Sequence, residues 1–342
     1  MVVDKNLKNS NFIKNCASSF HIRGVARLNR SYAISVFTLL LVGCVGLQFG
    51  ATSAEWDLIR ALRLARVLLA AGIGMGLAVA GAVLQVLFNN PLCEPYILGI
   101  SSGSALGLVV GLSLGVNWSF GGLMGTSFFG ALIFAGVLYW VAYRRALFGE
   151  AQGQSGFLLV GVTLGFMGNG LLALWVAMTD PNQLQSPLVW FFGDLSRARL
   201  VGAVLSLGVV GVVFSLILAQ AKSLDAFLLG EDEAISIGVD VPRLQRLMIG
   251  LTSVLVGVCV SGGGVIGFIG LLVPHGVRRW VGAGHRHLLP HCALWGATAL
   301  VFADFISRWV FRPYELPVGV VTALAGSPVL IWILLQRGRE LK

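Results

Sequence analysis

The chain has 342 residues, of which 56% are hydrophobic and only 11% charged, with a formal net charge of +9 and a mean hydropathy of +0.85. A soluble domain carries about 25% charged residues, so too little polar surface is available to coat a water-facing globule. The apolar residues also run in long charge-free blocks rather than alternating, which excludes a β-barrel and predicts helices of about 20 apolar residues spanning a bilayer.

In chain order, hydropathy predicts helices near 32–50, 64–86, 97–115, 122–142 and 156–178, then 190–219 (starting with a short outer helix), 247–262, 265–280, 289–307 and 316–336. Ten crossings put both termini on one side. Residues 1–31 form a basic tail ahead of one membrane domain over 32–338. The tail reads as a plain cytoplasmic segment; an amphipathic targeting peptide is the other reading, but no small-residue cleavage site is evident. Lys and Arg divide 17 against 7 between the two sides of this topology, with Arg60, Arg63, Arg66, Arg197, Arg199, Arg308 and Arg312 on the poorer side. The positive-inside rule therefore predicts both termini in the cytoplasm. The net charge is accounted for by topology, without any nucleic-acid partner.

Segment 220–246 is the longest polar interruption after the tail, and it falls on the cytoplasmic side. Leu224, Phe227, Leu228 and Leu229 precede Gly230, and Glu231, Asp232 and Glu233 precede Ile235, Ile237 and Gly238. This predicts two short amphipathic helices broken near Gly230, the second opened by acids suited to a helix N-terminus. An apolar face held outside the membrane invites a protein partner; the alternative is a loop lying on the bilayer. Residues 78–92 and 258–274 also echo one another, small residues running into a Gly/Pro-interrupted apolar stretch, as in transporters built from inverted repeats. The 45 glycines, often in small-xxx-small spacing, predict close helix packing, and Gly262–Gly263–Gly264 could unwind the backbone on the outer side.

Proton- or ion-coupled carriers usually need acids inside the membrane. Of 15 acids only Asp304 is placed within a predicted membrane-spanning helix, four residues before Arg308, the spacing of a helical ion pair. The phosphate-cradling GxxxxGK[ST] loop is also absent, since Gly-Lys never occurs. Any ATP-derived energy must then come from a separate subunit, and 220–246 is the natural place for it to dock. His285, His287 and His291 cluster without a nearby acid in sequence and read as a loop at the headgroup level rather than a metal site; His275 reads as packing at a helix end. The five cysteines are scattered, without a CxxC pair, and read as packing residues. No nucleophile–base constellation, metal site or cofactor site is predicted, so the chain is not expected to be an enzyme.

Four ordered blocks carry a family resemblance: RLARVLLAAGIGMGLAVAGAVLQVLFNNPLCEPYILGISSGSALG (63–107), LLGEDEAISIGV (228–239), GVIGFIGLLVPHGVRR (264–279) and ADFISRWVFRPYELPVGVVTALAGSPVLIWIL (303–334). The chain resembles the FecCD-type permeases, membrane subunits of binding-protein-dependent ABC importers for ferric siderophores, haem and cobalamin. The resemblance implies an all-α multi-pass fold of the type II ABC importer class in the bacterial inner membrane. It implies a second permease copy, ATP-binding cassette ATPase subunits and a periplasmic or surface substrate-binding protein as partners. The cargo it implies is an iron chelate, with cobalamin as the alternative; a secondary carrier working alone is the rival from another class.

By the same resemblance, Arg63, Arg66 and Arg308 are docking residues for the binding protein. Asn90 and Leu92, with Gln154, Ser155 and Leu158, match the cytoplasmic gate, and Gly230, Glu231, Ala234 and Gly238 match the coupling helices that meet the ATPase. The chain departs from the pattern at Ala65, where the family's Arg-Leu-Pro-Arg has proline, and in FFGDLSRAR (191–199), which carries extra arginines.

Overall fold

The computed structural model describes residues 31–48, 56–116, 122–148, 155–310 and 314–340, with backbone alone at 56–61, 142–143, 145–148, 155–157 and 337–340. The tail before Ser31, Gln154 and Arg312 lie outside the described residues. Within them the chain is all-helical. The helices are α1 (Ser31–Gln48), α2 (Trp56–Leu87), α3 (Ile100–Ser113), α4 (Leu123–Phe148), α5 (Ser155–Met178), α6 (Pro181–Phe191) and α7 (Leu200–Ala219). They continue as α8 (Ala221–Phe227), α9 (Glu231–Ser236), α10 (Val241–Gly263), α11 (Ile269–Val281), α12 (His285–Trp309) and α13 (Val318–Glu340), and a 3-10 turn at Pro95–Leu98 leads into α3.

Eight of the described helices are long and apolar enough to cross a bilayer: α1, α2, α4, α5, α7, α10, α12 and α13. Two expected crossings are shorter. The helix expected near 97–115 is α3, with 14 residues, and that near 265–280 is α11, with 13. At about 1.5 Å per residue, each covers roughly 20 Å of a hydrocarbon core near 30 Å. The short outer helix also differs from expectation. It is α6, ending where 190–219 was expected to begin, because Asp180 caps it by accepting the Asn182 N–H (3.0 Å) and Pro181 supplies the first-turn φ. Gly193, at φ +86°, turns the chain out of α6 before α7 starts at Leu200.

α2 is the centre of the bundle, with Ile73, Leu77, Leu84 and Leu87 fully buried. It packs against α7, α10, α11 and α12. Backbones approach closely where glycines face each other: a Cβ on Gly74 would strike the carbonyl of Gly296 in α12, and one on Gly81 would strike that of Gly270 in α11. In lipid this close packing is itself a source of helix association. Cys93, Cys259 and Cys292 are buried packing residues, as expected, and Cys44 is exposed.

α10 ends at Gly263, Gly264 takes φ +73°, and the chain stays non-helical through Phe268 before α11 begins. Gly263 lies against Ile73 and Gly270 against Gly81, so this break runs beside the middle of α2. Backbone N–H groups freed at such a place need acceptors, and the segment after α2 supplies them. The Ile266 N–H donates to Tyr96 Oη (3.0 Å) and the Phe268 N–H to Glu94 Oε1 (2.7 Å). Phe268 adopts a left-handed φ of +70°, costly for a residue with a Cβ, and its ring packs on Gly326 of α13. One turn into α11, Pro274 removes the helical donor for the Gly270 carbonyl. Gln85 of α2 replaces it, its Nε2 donating to Gly270 O (3.4 Å) and Leu271 O (3.2 Å), while Arg278 Nη1 donates to Gln85 Oε1 (2.6 Å). The two echoing segments, 78–92 and 258–274, thus pack on each other.

The close approach makes Gly81 intolerant of any side chain. Gly81→Ala is expected to lower the thermal midpoint of the detergent-solubilised protein, at a cost of about 1–3 kcal/mol for overpacking. Gly211→Ala in α7, where a Cβ would meet nothing within 4 Å, is expected to leave the midpoint unchanged.

Candidate functional site

Three regions carry the residues singled out from the sequence. At the end where α1 finishes and α2 begins, the arginines converge. Arg66 Nε donates to Asp304 Oδ1 (2.7 Å) and its Nη1 to Glu315 Oε2 (2.7 Å). Arg308 Nη2 lies 2.9 Å from Asp304 Oδ2, the helical pair expected from the spacing. Asp304 is fully buried and Arg308 is 4% exposed. Arg63 Nη1 donates to Leu47 O (3.1 Å) and Gln48 O (3.2 Å), and Arg308 Nη1 and Nη2 reach Gly46 O (3.4 Å). These carbonyls end α1, where no intrahelical donor remains and a cation is favoured. The three arginines are thus brought together, but Arg66 and Arg308 are committed to an internal ion network. Arg63, on the flank of α2, carries no carboxylate partner among the described ion pairs. Nearby, Arg197 pairs with Asp194 (3.5 Å) and bonds Ser186, and Arg199 is exposed.

At the other end of α2 lies the segment that carries Asn90 and Leu92. Asn89 takes a positive φ of +43°, and Asn90 Oδ1 accepts the Leu92 N–H (3.0 Å), so the side chain shapes its own turn. Leu92 is 39% exposed. On α5, Leu158 is partly buried against the core, and Gly161 one turn on lies against Ile97 and Leu98. The first turns of α5 therefore sit beside the chain that follows Leu92. Ser155 begins α5, with its backbone alone described. Glu94 is the residue missed here: it follows the turn directly and its carboxylate caps the α10–α11 break. Only the long-range packing of α11 on α2 reveals that role.

The third region is the hairpin α8–α9, broken at Gly230 (φ +123°) as expected, with Glu231, Asp232 and Glu233 opening α9. Leu224, Phe227 and Ala234 are buried against the bundle, whereas Leu228, Leu229, Ile235 and Ile237 are exposed, at 44%, 65%, 57% and 62%. Glu231 accepts from Gln245 of α10, and Gly238 takes φ +91°. Gly230, Glu231, Ala234 and Gly238 therefore build the hairpin, and the four aliphatic side chains form its outward surface.

Asp225 of α8 holds the hairpin to α12, its Oδ1 accepting from the His285 backbone N–H and meeting His285 Nδ1, both at 2.7 Å. This corrects the expectation for the histidines. They lie in the first two turns of α12 rather than in a loop, because Gly284 leads directly into a helix that starts at His285. The acid that looked absent comes from 60 residues away. His291 and His287 instead meet Ser31 Oγ (2.8 Å) and Tyr32 Oη (3.5 Å) at the start of α1. His275 lies within α11 rather than at its end. No group of three or more potential metal ligands occurs among the described residues.

Removing the buried carboxylate of the ion network should be costly, since two cations lose their shared partner. Asp304→Asn is expected to destabilise the protein by about 3–5 kcal/mol, seen as a lower thermal midpoint. Glu315→Gln, at the exposed edge, should cost at most about 1 kcal/mol.

A family model described as the FecCD transport family matches residues 30–336. The chain is 41% identical over 303 residues to the vitamin B12 import system permease protein BtuC of Vibrio cholerae, covering 87% of this chain and 89% of the relative. It is 35% identical over 289 residues to the hemin transport system permease protein HmuU of Yersinia pestis, covering 84% and 86%. Among solved structures, an inward-facing metal-chelate type ABC transporter described as putative superposes with a TM-score of 0.81 at 28% identity, over 90% of this chain and 99% of that one. With the match spanning nearly every described helix, the chain belongs to the FecCD transport family as a multi-pass membrane permease.

Proposed function

We propose that the chain is the membrane-spanning subunit of a binding-protein-dependent ABC importer that moves a large metal chelate into the cell. Two copies line a central pathway, two ATPase subunits bind below and one substrate-binding protein docks above. Each copy crosses the bilayer ten times with both termini cytoplasmic, α3 completing its crossing with the 3-10 turn before it and α11 with the non-helical segment before it. The observation that carries the reading is the α8–α9 hairpin, whose four exposed aliphatic residues stand on a polar segment. Such a patch fits a protein partner, and a chain without a phosphate loop needs one that hydrolyses ATP.

ATP binding closes the ATPase dimer and displaces the hairpin. Through the Asp225–His285 contact the displacement reaches α12, and through α11 and Gln85 it reaches the segment of Asn90 and Leu92. Asn90, Leu92, Gln154, Ser155 and Leu158 form the inner gate. Arg63 meets an acidic group of the binding protein directly, and Arg66 and Arg308 hold the surface beneath it. The cargo is an iron chelate such as haem or a ferric siderophore; cobalamin is the second reading, favoured by the 41% identity to a vitamin B12 permease.

Uptake into proteoliposomes should require the ATPase subunit and ATP, and transport by the permease alone would exclude this function. Leu229→Glu, on an exposed site, should abolish co-purification of the ATPase without changing the thermal midpoint. Arg63→Glu is expected to weaken binding-protein docking about tenfold at low ionic strength, with the difference shrinking in salt. Equal affinity at low salt would remove the docking role.

A further inference from the structure

α5 carries one amide in its apolar length, and its position is informative. Asn169 lies 14 residues into the 24-residue helix, near the middle of the crossing. Its Oδ1 accepts a hydrogen bond from Ser102 Oγ of α3 (3.0 Å), yet the residue is exposed. Its NH2 group donates to nothing among the described residues. Thr163, the other exposed polar residue in this stretch, satisfies its hydroxyl within the helix on Leu159 O (2.7 Å). An amide without partners in hydrocarbon costs about 4–8 kcal/mol on a cyclohexane scale. Polar groups at this depth accordingly face water or protein rather than lipid.

The two exposed flanks of α5 differ in kind. Gly161, Gly165 and Gly168 pack it against the 3-10 turn and α3. On one flank, at helical spacing, lie Leu159, Val162, Phe166, Asn169 and Gly170, apolar apart from the amide. Phe166 is 73% exposed, and a Cβ on Gly170 would meet nothing within 4 Å, so open space and an aromatic surface adjoin the amide. On the opposite flank Met167, Leu171, Leu174 and Met178 are all large, apolar and exposed. That flank is apolar throughout and suits lipid, whereas the other carries the amide with its unpaired NH2 among apolar neighbours.

We propose that the Asn169 flank lines the translocation pathway and that the Asn169 carboxamide is a solute contact. Its two N–H donors meet carbonyl or carboxylate oxygens on the periphery of a passing chelate, while Phe166 offers an apolar surface to the ring or arm that bears them. The proposal rests on the importer reading for the existence of a central pathway. Its geometry, however, is tested without knowing the cargo. A single weak donor in an otherwise apolar wall orients a solute without holding it, which suits a path rather than a binding site.

The test compares Asn169→Cys with Leu171→Cys, neighbours at nearly the same depth on opposite flanks. Both are made in a chain carrying Cys16→Ser and Cys44→Ser, and assembled with the ATPase and binding protein in membranes. The probe is the cationic thiol reagent 2-(trimethylammonium)ethyl methanethiosulfonate, which reacts only where water reaches. Asn169→Cys should react at least tenfold faster than Leu171→Cys. Equal rates, faster reaction at Leu171→Cys, or a spontaneous disulfide joining the two copies at Asn169→Cys would each overturn the proposal. In the second arm, Asn169→Leu keeps the volume and removes the donors. It should lower ATP-driven uptake of the probe that the wild-type complex carries, haem or cyanocobalamin, severalfold without lowering ATP hydrolysis, and Asn169→Gln should restore uptake. Wild-type uptake by Asn169→Leu would overturn the solute contact. ATP-independent uptake by the wild type would instead overturn the importer reading, and the labelling pattern would stand apart from it.

Discussion

Hydrocarbon offers a peptide N–H no acceptor, so every break in a membrane helix must be repaired from within the protein. The architecture of this chain follows from where it makes such breaks. α11 is short because the backbone from Gly264 to Gly267 is not helical, and that stretch runs beside the middle of α2. Its donors are taken up by Glu94 and Tyr96, and the carbonyl freed by Pro274 is taken up by Gln85. Those three residues come from the C-terminal half of α2 and the chain leaving it. This half of the bundle is consequently tied together by polar bonds, and it is the same half that carries Asn90 and Leu92. Close glycine contacts at Gly74 and Gly81 make this possible by letting α11 and α12 approach α2 at backbone distance.

The opposite end, where α1 finishes and α2 begins, solves a different problem. Two guanidinium groups, Arg66 and Arg308, are largely withdrawn from solvent and share one fully buried carboxylate, with Glu315 closing the network at the surface. Ion pairs of this kind rarely add much stability, but they are strongly unfavourable to break on one side. Their effect here is to fix α2, α12 and the chain before α13 relative to one another. α12 then joins this network at one end to Asp225 and the hairpin at the other, a single 25-residue helix touching both faces of the molecule.

Much of this was legible in the residues. Long apolar blocks predicted most of the spans, the Asp304–Arg308 spacing predicted its pair, and the acids after Gly230 predicted the start of α9. What escaped was everything set by partners far apart in the chain. Arg66 looked free because Asp304 lies 238 residues away, and His285 looked unpaired because Asp225 lies 60 residues before it. Helix counting by hydropathy also merged the irregular stretches at 97–99 and 265–268 into crossings, since Ile97, Leu98, Val265 and Ile266 are as apolar there as in a helix. Hydropathy reports whether a segment tolerates lipid, and it is silent on whether its backbone bonds are local.

The attachment of α1 bears on how the molecule is made. Its side chains are mostly exposed, and its polar fastenings are Ser31 and Tyr32 to His291 and His287 at one end and the Gly46 to Gln48 carbonyls to Arg308 and Arg63 at the other. The partners of Ser31 and Gly46 lie 260 and 262 residues downstream. A ribosome must therefore finish nearly the whole bundle before the first helix has its final neighbours. During that interval α1 has α2 as a neighbour, through Arg63 and Val67, and its long apolar sequence tolerates lipid elsewhere. Arg63, arriving with the second helix, is the earliest grip on it. Closure of the bundle around α1 is accordingly a late event of assembly, when α12 arrives to meet a helix made some 260 residues earlier.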